Sequence, residues 1–158
     1  MSNEVQIEHV AALPIVAIRK HTTRNDIGMN IGAALGELIG ALAGQGLSAS
    51  GAPFVVYHAV IEDDVAGDIE VCLPVDSHVD PVGDVYSRAL EGGAMATAIH
   101  KGPYPELRAT YQELMAWIPE HGYEIAGPPR EFYLNDPRTV APEGLLTRVE
   151  FPSVAKTG

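Results

Sequence analysis

An internal repeat constrains the fold of this chain more than any other feature of its sequence. Residues 46–57 align with residues 122–133 without a gap. The first copy shares four identities with the second, at Gly46, Gly51, Pro53 and Tyr57. Upstream, residues 16–20 resemble residues 97–101, as if one loop differed in length. Similarity at a fixed separation is typical of a duplicated structural unit, so we expect two related halves.

Hydrophobic periodicity predicts the elements of the first half. An alternating segment followed by an apolar run predicts one strand over residues 5–20, with a bend at Leu13-Pro14. Apolar residues spaced by three and four predict an amphipathic helix over about residues 26–44. Residues 54–61 and 68–75 flank an acidic turn and predict the two strands of a hairpin.

The second half shows a similar order of patterns. Residues 85–90 and 94–100 predict a hairpin around the tight turn Glu91-Gly92-Gly93. Apolar spacing predicts a helix over about residues 105–121, which Gly122 would cap. Two further strands are predicted over residues 131–135 and 145–151.

Each half therefore has the order strand, helix, strand, strand. Two such halves predict an α+β fold: duplicated β-α-β-β units form one antiparallel sheet, with two helices on one face and a ligand cleft on the other. We expect a single domain over residues 1–158, with pseudo-repeats at about residues 5–80 and 81–152. An open groove between two related halves is a natural place for a ligand.

Charge and composition narrow the range of partners. The 10 Lys and Arg residues and 21 Asp and Glu residues give a net charge of −11, which repels the nucleic-acid backbone. The N-terminus lacks the basic start and apolar run of a signal peptide, and no apolar stretch is long enough to span a membrane. A single cysteine, Cys72, excludes an internal disulfide. We therefore expect a cytoplasmic protein that contacts neither nucleic acid nor a membrane directly.

The sequence carries no motif for a metal or a nucleotide cofactor. Its six histidines have no spacing typical of a zinc site. The glycine-rich phosphate loop, the dinucleotide fingerprint and the nucleophile elbow of serine hydrolases are missing from the sequence. We therefore expect neither a metal nor a cofactor.

Glu131 is the strongest candidate for a functional residue. Alternation along its strand puts the apolar Phe132 and Leu134 toward the helices and Glu131 toward the groove. Its counterpart in the first half is Val55, so the duplicated scaffold does not require an acid at this position. The alternative is a structural glutamate that pairs with a neighbour such as Arg148.

Several aromatic residues could surround this acid. Tyr133 shares the predicted face of Glu131, and we place Tyr57 and Tyr104 at the same groove. Tyrosine rings around a carboxylate provide what a lipophilic cation needs, a negative charge beside electron-rich ring faces. Trp117 on the second predicted helix is a further candidate ligand-binding residue, although packing in the core is the favoured interpretation.

Several segments of the second half resemble a known family. They are AIHKGPY at residues 98–104, the helix positions Leu107, Tyr111 and Trp117, GPPREFYLNDP at residues 127–137 and LTRVEFP at residues 146–152. Together they resemble the GyrI-like small-molecule-binding domain, which is also the effector-binding half of some AraC-type and multidrug-sensing regulators. The resemblance implies a duplicated β-α-β-β fold with a central cleft, and a cleft glutamate that meets the cationic ligand in multidrug-binding members. That glutamate falls on Glu131, and Tyr133 and Tyr104 fall on positions that flank the cleft.

These residues and this resemblance leave three functions open. The favoured one is binding of hydrophobic, often cationic, small molecules by a stand-alone sensor or sequestering domain, because nothing before residue 5 resembles a helix-turn-helix. The second is hydrolysis of strained electrophiles of the cyclopropane type, with Glu131 as the catalytic residue. The third is inhibition of DNA gyrase through protein contact, as in the namesake branch. A regulator or gyrase would then be the protein partner, and the sequence does not determine the oligomeric state.

Overall fold

The computed structural model describes residues 4–61 and 64–157. Its helices and strands, in chain order, are β1 (Gln6–Val10), β2 (Leu13–Thr22), α1 (Ile27–Ala43), β3 (Phe54–Tyr57), β4 (Gly67–Pro74), β5 (Tyr86–Leu90), β6 (Gly93–Lys101), α2 (Leu107–Glu120), β7 (Tyr123–Ile125), β8 (Arg130–Tyr133) and β9 (Leu146–Ala155). Short 3-10 turns at Tyr104–Glu106 and Pro142–Gly144 precede α2 and β9.

Backbone contacts divide the chain into two compact units. The central unit is Ala12–Glu91, and the terminal unit combines Met1–Ala11 with Gly92–Gly158. Each unit contains antiparallel strands and one helix that packs against them. The α+β fold class predicted from periodicity is therefore confirmed.

In the central unit, α1 packs against β2 and β4 of a sheet with the order β3–β4–β2–β5. Lys20 of β2 lies 3.9 Å from Glu37 of α1, which identifies the even-numbered side of β2 as the helix face. Val16 and Ile18 on that side are completely buried. Ile15 and Ala17 on the other side are buried as well, so burial on both faces of the sheet accounts for the apolar run in β2.

In the terminal unit, the sheet order is β1–β6–β9–β8, and β7 pairs with the end of β9. Helix α2 packs against β6, β7 and β9. The core beneath it contains small and apolar residues: Ala96, Ala98, Leu107, Leu114, Ile118, Val149 and Phe151. Gly122 has a φ of 84° just after α2, the left-handed conformation that its predicted capping role requires.

The structure corrects two predicted strand arrangements. Residues 5–20 form two strands instead of one bent strand, because β1 pairs with β6 whereas β2 pairs with β4 and β5. The predicted hairpin between residues 85–90 and 94–100 is also wrong, since β6 has β1 on one edge and β9 on the other. Alternation identifies a strand but not its partner. The segment Glu91-Gly92-Gly93 connects the two units and does not close a hairpin.

Other predicted elements are confirmed. Both helices form close to their expected ranges, and β3 and β4 form the predicted hairpin with Phe54 opposite Cys72. The three-residue strand β7 was not predicted, because it is too short to show alternation. No helix in the described part of the chain is both long and apolar enough to cross a membrane.

Two glycines illustrate opposite packing environments. Gly36 lies on the exposed side of α1, where an added Cβ would meet nothing within 4 Å. Gly67 begins β4, where an added Cβ would lie 2.9 Å from the Cβ of Ala59 and 3.0 Å from the Cδ1 of Ile61. A side chain is therefore tolerated at the first position and requires a shift of its neighbours at the second.

We expect Gly36→Ala to raise the free energy of unfolding by about 1 kcal/mol, because alanine removes the helix penalty of glycine without a clash. Gly67→Ala should lower the free energy of unfolding, because the segment containing Ala59 and Ile61 must move. Urea denaturation followed by circular dichroism measures both changes. A destabilising Gly36→Ala, or a neutral Gly67→Ala, would contradict the packing described at these positions.

Candidate functional site

Glu131 lies on the helix face of the terminal sheet. In the strand register it is opposite Val149 of β9, which is in turn opposite Ala98 of β6. Residues directly opposite each other share a face of a sheet, and both Val149 and Ala98 belong to the core beneath α2. The carboxylate of Glu131 therefore points to the side that α2 covers.

This orientation corrects the expectation that Phe132 and Leu134 face the helices. Leu134 is exposed, and Phe132 is on the side of β8 opposite Glu131. Alternation correctly separates these side chains into two faces, but it does not say which face a helix covers. The assumption that the apolar pair must face the helices was wrong, because α2 itself brings a polar group to Glu131.

Two tyrosine hydroxyls hold the carboxylate of Glu131. The hydroxyl of Tyr111, on α2, donates to Oε2 at 2.5 Å, and the hydroxyl of Tyr133, on β8, donates to Oε1 at 3.0 Å. Glu131 is only 7% exposed. A buried carboxylate is costly unless it accepts hydrogen bonds, and bonds to a charged acceptor are stronger than neutral ones. The pair of tyrosines thus stabilises the acid and links α2 to β8.

Tyr104 adds a third ring to this site. Its ring packs edge-to-face against that of Tyr133, with centroids 5.8 Å apart and an interplanar angle of 67°. Burial raises the pKa of the Tyr104 hydroxyl, and the negative charges of Asp136 and Glu131 raise it further. Tyr104 therefore remains a neutral phenol at physiological pH.

A buried histidine positions the turn that carries Tyr104. Nδ1 of His100 lies 3.0 Å from the hydroxyl of Thr110 on α2, and Nε2 lies 3.1 Å from the carbonyl of Pro103. Because a carbonyl only accepts, Nε2 carries a proton and donates to Pro103. Gly102 has a φ of 138°, and an added Cβ would lie 3.1 Å from Oε2 of Glu106, so the turn requires glycine there. His100 therefore connects β6, the turn and α2.

The other two candidate ligand-binding residues, Tyr57 and Trp117, have neighbours other than Glu131. Tyr57 ends β3 in the central unit, opposite Ile69 of β4. Trp117 stacks on His121 near the end of α2, with ring centroids 3.9 Å apart, and packs against the terminal core.

Tyr111, His100 and Thr110 belong to the site but were not among the residues predicted for it. In the sequence, Tyr111 is marked only as a helix position that carries the family resemblance. Its hydroxyl was the available signal, because a core-facing tyrosine usually finds a hydrogen-bond partner. No comparable signal marks His100 and Thr110, whose contact depends on how α2 packs against β6. Within residues 4–61 and 64–157, no group of three His, Cys, Asp or Glu side chains is arranged to hold a metal ion.

Comparison with known families identifies the domain. Residues 3–153 match the GyrI-like small molecule binding domain. The chain belongs to the GyrI-like family. No curated protein sequence gives a significant match to this GyrI-like domain.

Solved structures share the fold. The EcmrR C-terminal domain has a TM-score of 0.84 and 24% identity, and the match covers 99% of this chain and 100% of that domain. The EcmrR chain in its complex with DNA has a TM-score of 0.86 and 22% identity to this chain, and the match covers 98% of this chain and 58% of EcmrR. This GyrI-like domain thus spans about 58% of the EcmrR chain.

Two further neighbours are more distant. SAV2435 bound to tetraphenylphosphonium has a TM-score of 0.68 and 16% identity, over 96% of this chain and 94% of SAV2435. A hydrolase from Listeria innocua has a TM-score of 0.74 and 14% identity, over 97% of this chain and 93% of that one. At these identities, the likeness shows a shared fold and not a shared activity.

The central unit of this GyrI-like domain contains a second buried carboxylate, Glu70 in β4. It is 1% exposed and accepts a bidentate pair of 2.7 Å hydrogen bonds from Arg88. Tyr86 donates to Oε2 at 2.5 Å, and Nε2 of His58 lies 2.9 Å from Oε1. Glu70 is opposite Arg19 in the register, on the side of the sheet away from α1. The guanidinium neutralises this carboxylate in place, which makes it part of the scaffold.

Glu70 makes the stability of the GyrI-like domain depend on pH in the acidic range. Burial raises its pKa, but the hydrogen bonds from Arg88, Tyr86 and His58 lower it more, so the pKa falls from 4.5 to about 2. A carboxyl whose pKa is lower in the folded state stabilises the fold above its unfolded pKa. That contribution is lost as the pH falls from about 4.5 through about 2.

We expect Glu70→Gln to lower the free energy of unfolding at pH 7 by roughly 3 kcal/mol, because it removes the buried counter-ion of the Arg88 guanidinium and leaves, among the described residues, only the exposed Glu91, 3.7 Å away. The variant should also lose less stability than the unaltered protein between pH 4.5 and pH 2. Urea denaturation at several pH values measures both effects, with the exposed Glu124→Gln as the matched control. Parallel pH profiles for the Glu70→Gln variant and the unaltered protein would contradict the assignment.

Proposed function

We propose that this GyrI-like domain binds hydrophobic organic cations at Glu131, as a sensor or a sequestering domain. The observation that carries the proposal is the buried Glu131 carboxylate in contact with Tyr111 and Tyr133, with the Tyr104 ring packed beside them. Such a site offers a negative charge and aromatic surface at one place.

The chemistry of this site suits a weakly hydrated cation. Ring faces attract a cation through their quadrupole, and the attraction is stronger where water is excluded. The tyrosine rings also provide apolar area for a ligand with aromatic or aliphatic substituents. The net charge of −11 adds a long-range field that favours the approach of cations.

The tetraphenylphosphonium bound to SAV2435 supports this choice of ligand class, because SAV2435 shares the fold. The ion combines four phenyl groups with a single buried positive charge. Its binding therefore depends both on the carboxylate, through the charge, and on the aromatic surface, through the phenyl groups.

The geometry also gives a physical basis for sensing. Tyr111 belongs to α2 and Tyr133 to β8, so the Glu131 carboxylate joins a helix to a strand. A cation that competes with either hydroxyl for the carboxylate changes this link. Ligand occupancy would then be reported as a change in the position of α2.

Glu131→Gln tests the proposal directly. We expect it to weaken tetraphenylphosphonium binding by about tenfold or more, because it removes the negative charge and keeps the side-chain shape. Binding of the neutral triphenylphosphine oxide should change much less. Isothermal titration calorimetry measures both affinities, and Glu124→Gln on exposed β7 is the control with the same loss of charge.

Two results would contradict a cation site at Glu131. One is failure of the unaltered protein to bind tetraphenylphosphonium. The other is an equal loss of affinity for the cation and the neutral compound in the Glu131→Gln variant, or the same loss of cation affinity in the Glu124→Gln variant.

Hydrolysis of a strained electrophile is the second candidate function. The similar fold of the Listeria innocua hydrolase and the carboxylate beside two phenols favour it. Glu131 would take a proton from water as the water oxygen bonds to a ring carbon, and the released electron pair of the ring bond would then be protonated. Incubation with cyclopropane electrophiles, followed by mass spectrometry, distinguishes the two functions. Hydrated product that disappears with Glu131→Gln supports hydrolysis, and recovery of intact compound supports binding alone.

A further inference from the structure

Thr147 has an unusual environment in β9. Its side chain is fully buried, and among the described residues its Oγ1 is the buried side-chain oxygen or nitrogen that has no hydrogen-bond partner. A hydroxyl removed from water without a partner destabilises a fold, so nearly all buried polar groups are paired. The chain nevertheless places a hydroxyl at this position.

The strand register places Thr147 next to the Glu131 site. Thr147 is opposite Tyr133 of β8 and opposite His100 of β6, so the three residues form a row across the sheet. It is two residues from Val149, which is opposite Glu131, and therefore lies on the same face. Two residues along a strand correspond to about 7 Å, which is the expected separation of this row from that of Glu131.

The polar groups that flank Thr147 have hydrogen-bond partners other than Thr147. The hydroxyl of Tyr133 donates to Glu131. The two ring nitrogens of His100 lie within hydrogen-bond distance of Thr110 and Pro103. The scaffold around Thr147 thus satisfies its other polar groups and leaves this buried hydroxyl without a partner.

We infer that Thr147 is a specificity-determining ligand contact in the Glu131 site. The inference rests on the proposed function and narrows its ligand class. The preferred ligand is a hydrophobic cation that also carries a hydrogen-bonding group about 6–7 Å from its positive centre, close to the spacing of the two rows. A threonine hydroxyl can donate or accept, so a hydroxyl or a carbonyl on the ligand satisfies it. Because Thr147 is fully buried, this contact requires a neighbouring side chain to be displaced, and the Tyr104 ring, which packs on Tyr133 beside this row, is the candidate.

Two matched probes test this inference. Tetraphenylphosphonium has no hydrogen-bonding group, whereas (4-hydroxyphenyl)triphenylphosphonium adds one hydroxyl at the para position of a single ring. The measured quantity is the ratio of their dissociation constants, obtained by calorimetry. For the unaltered protein we expect the hydroxylated probe to bind about threefold to tenfold more tightly, as one added hydrogen bond allows.

Substitutions at Thr147 should change that ratio in a defined way. Thr147→Val removes the hydroxyl and keeps the branched shape, so the ratio should fall to about one, whereas Thr147→Ser should preserve the preference. Thr147→Ala provides a second hydroxyl-free variant if valine perturbs the fold. Thr97→Val is the matched control, because Thr97 is a buried threonine of β6 on the opposite face and has Glu8 as a partner. Its ratio should equal that of the unaltered protein.

The possible failures are distinguishable. If tetraphenylphosphonium binds in a Glu131-dependent manner but the hydroxylated probe binds no more tightly, the proposed function stands and the role of Thr147 is overturned. A preference that survives both Thr147→Val and Thr147→Ala also overturns that role. If neither probe binds the unaltered protein, the proposed function fails, and the inference fails with it.

Discussion

Burial of the Glu131 carboxylate is the constraint on which the terminal unit's site depends. A charged group in a protein interior must accept hydrogen bonds, and here the donors come from two different elements, α2 and β8. The same requirement that stabilises the acid therefore fixes the helix relative to the strand. Tyr104 and the His100 turn extend this arrangement, so that three aromatic rings and one carboxylate lie together.

The two related units differ in where they place buried acidic residues. At the equivalent register position, the central unit places Val55 opposite Val71, and the terminal unit places Glu131 opposite Val149. On the face away from the helix, the central unit buries Glu70 against Arg88, and the terminal unit buries Glu150 against Arg148. All three acids are buried, but only Glu131 is held by phenols on the helix side. The arrangement around Glu131 is thus a feature of the second repeat that the first repeat does not share.

The structural neighbours show how little of the sequence this fold requires. EcmrR, SAV2435 and the Listeria innocua hydrolase share the fold at 14–24% identity. A sheet of alternating residues and one amphipathic helix per unit can be built from many sequences, because burial depends on pattern more than on identity. The proposed ligand contacts are correspondingly few, and they are side chains on the helix face: Glu131, the tyrosines around it and Thr147.

Local pattern in the sequence determined the helices, most strands and the duplicated α+β plan, because apolar periodicity reflects which residues must be buried. It also singled out Glu131, whose repeat counterpart Val55 showed that the backbone does not demand an acid. Strand partners were decided only in the tertiary structure: β1 joins β6, and β5 joins β2, because pairing depends on residues far apart in the chain. The face occupied by Glu131 and its partner Tyr111 were decided in the same way, since alternation separates two faces but only packing determines which one the helix covers.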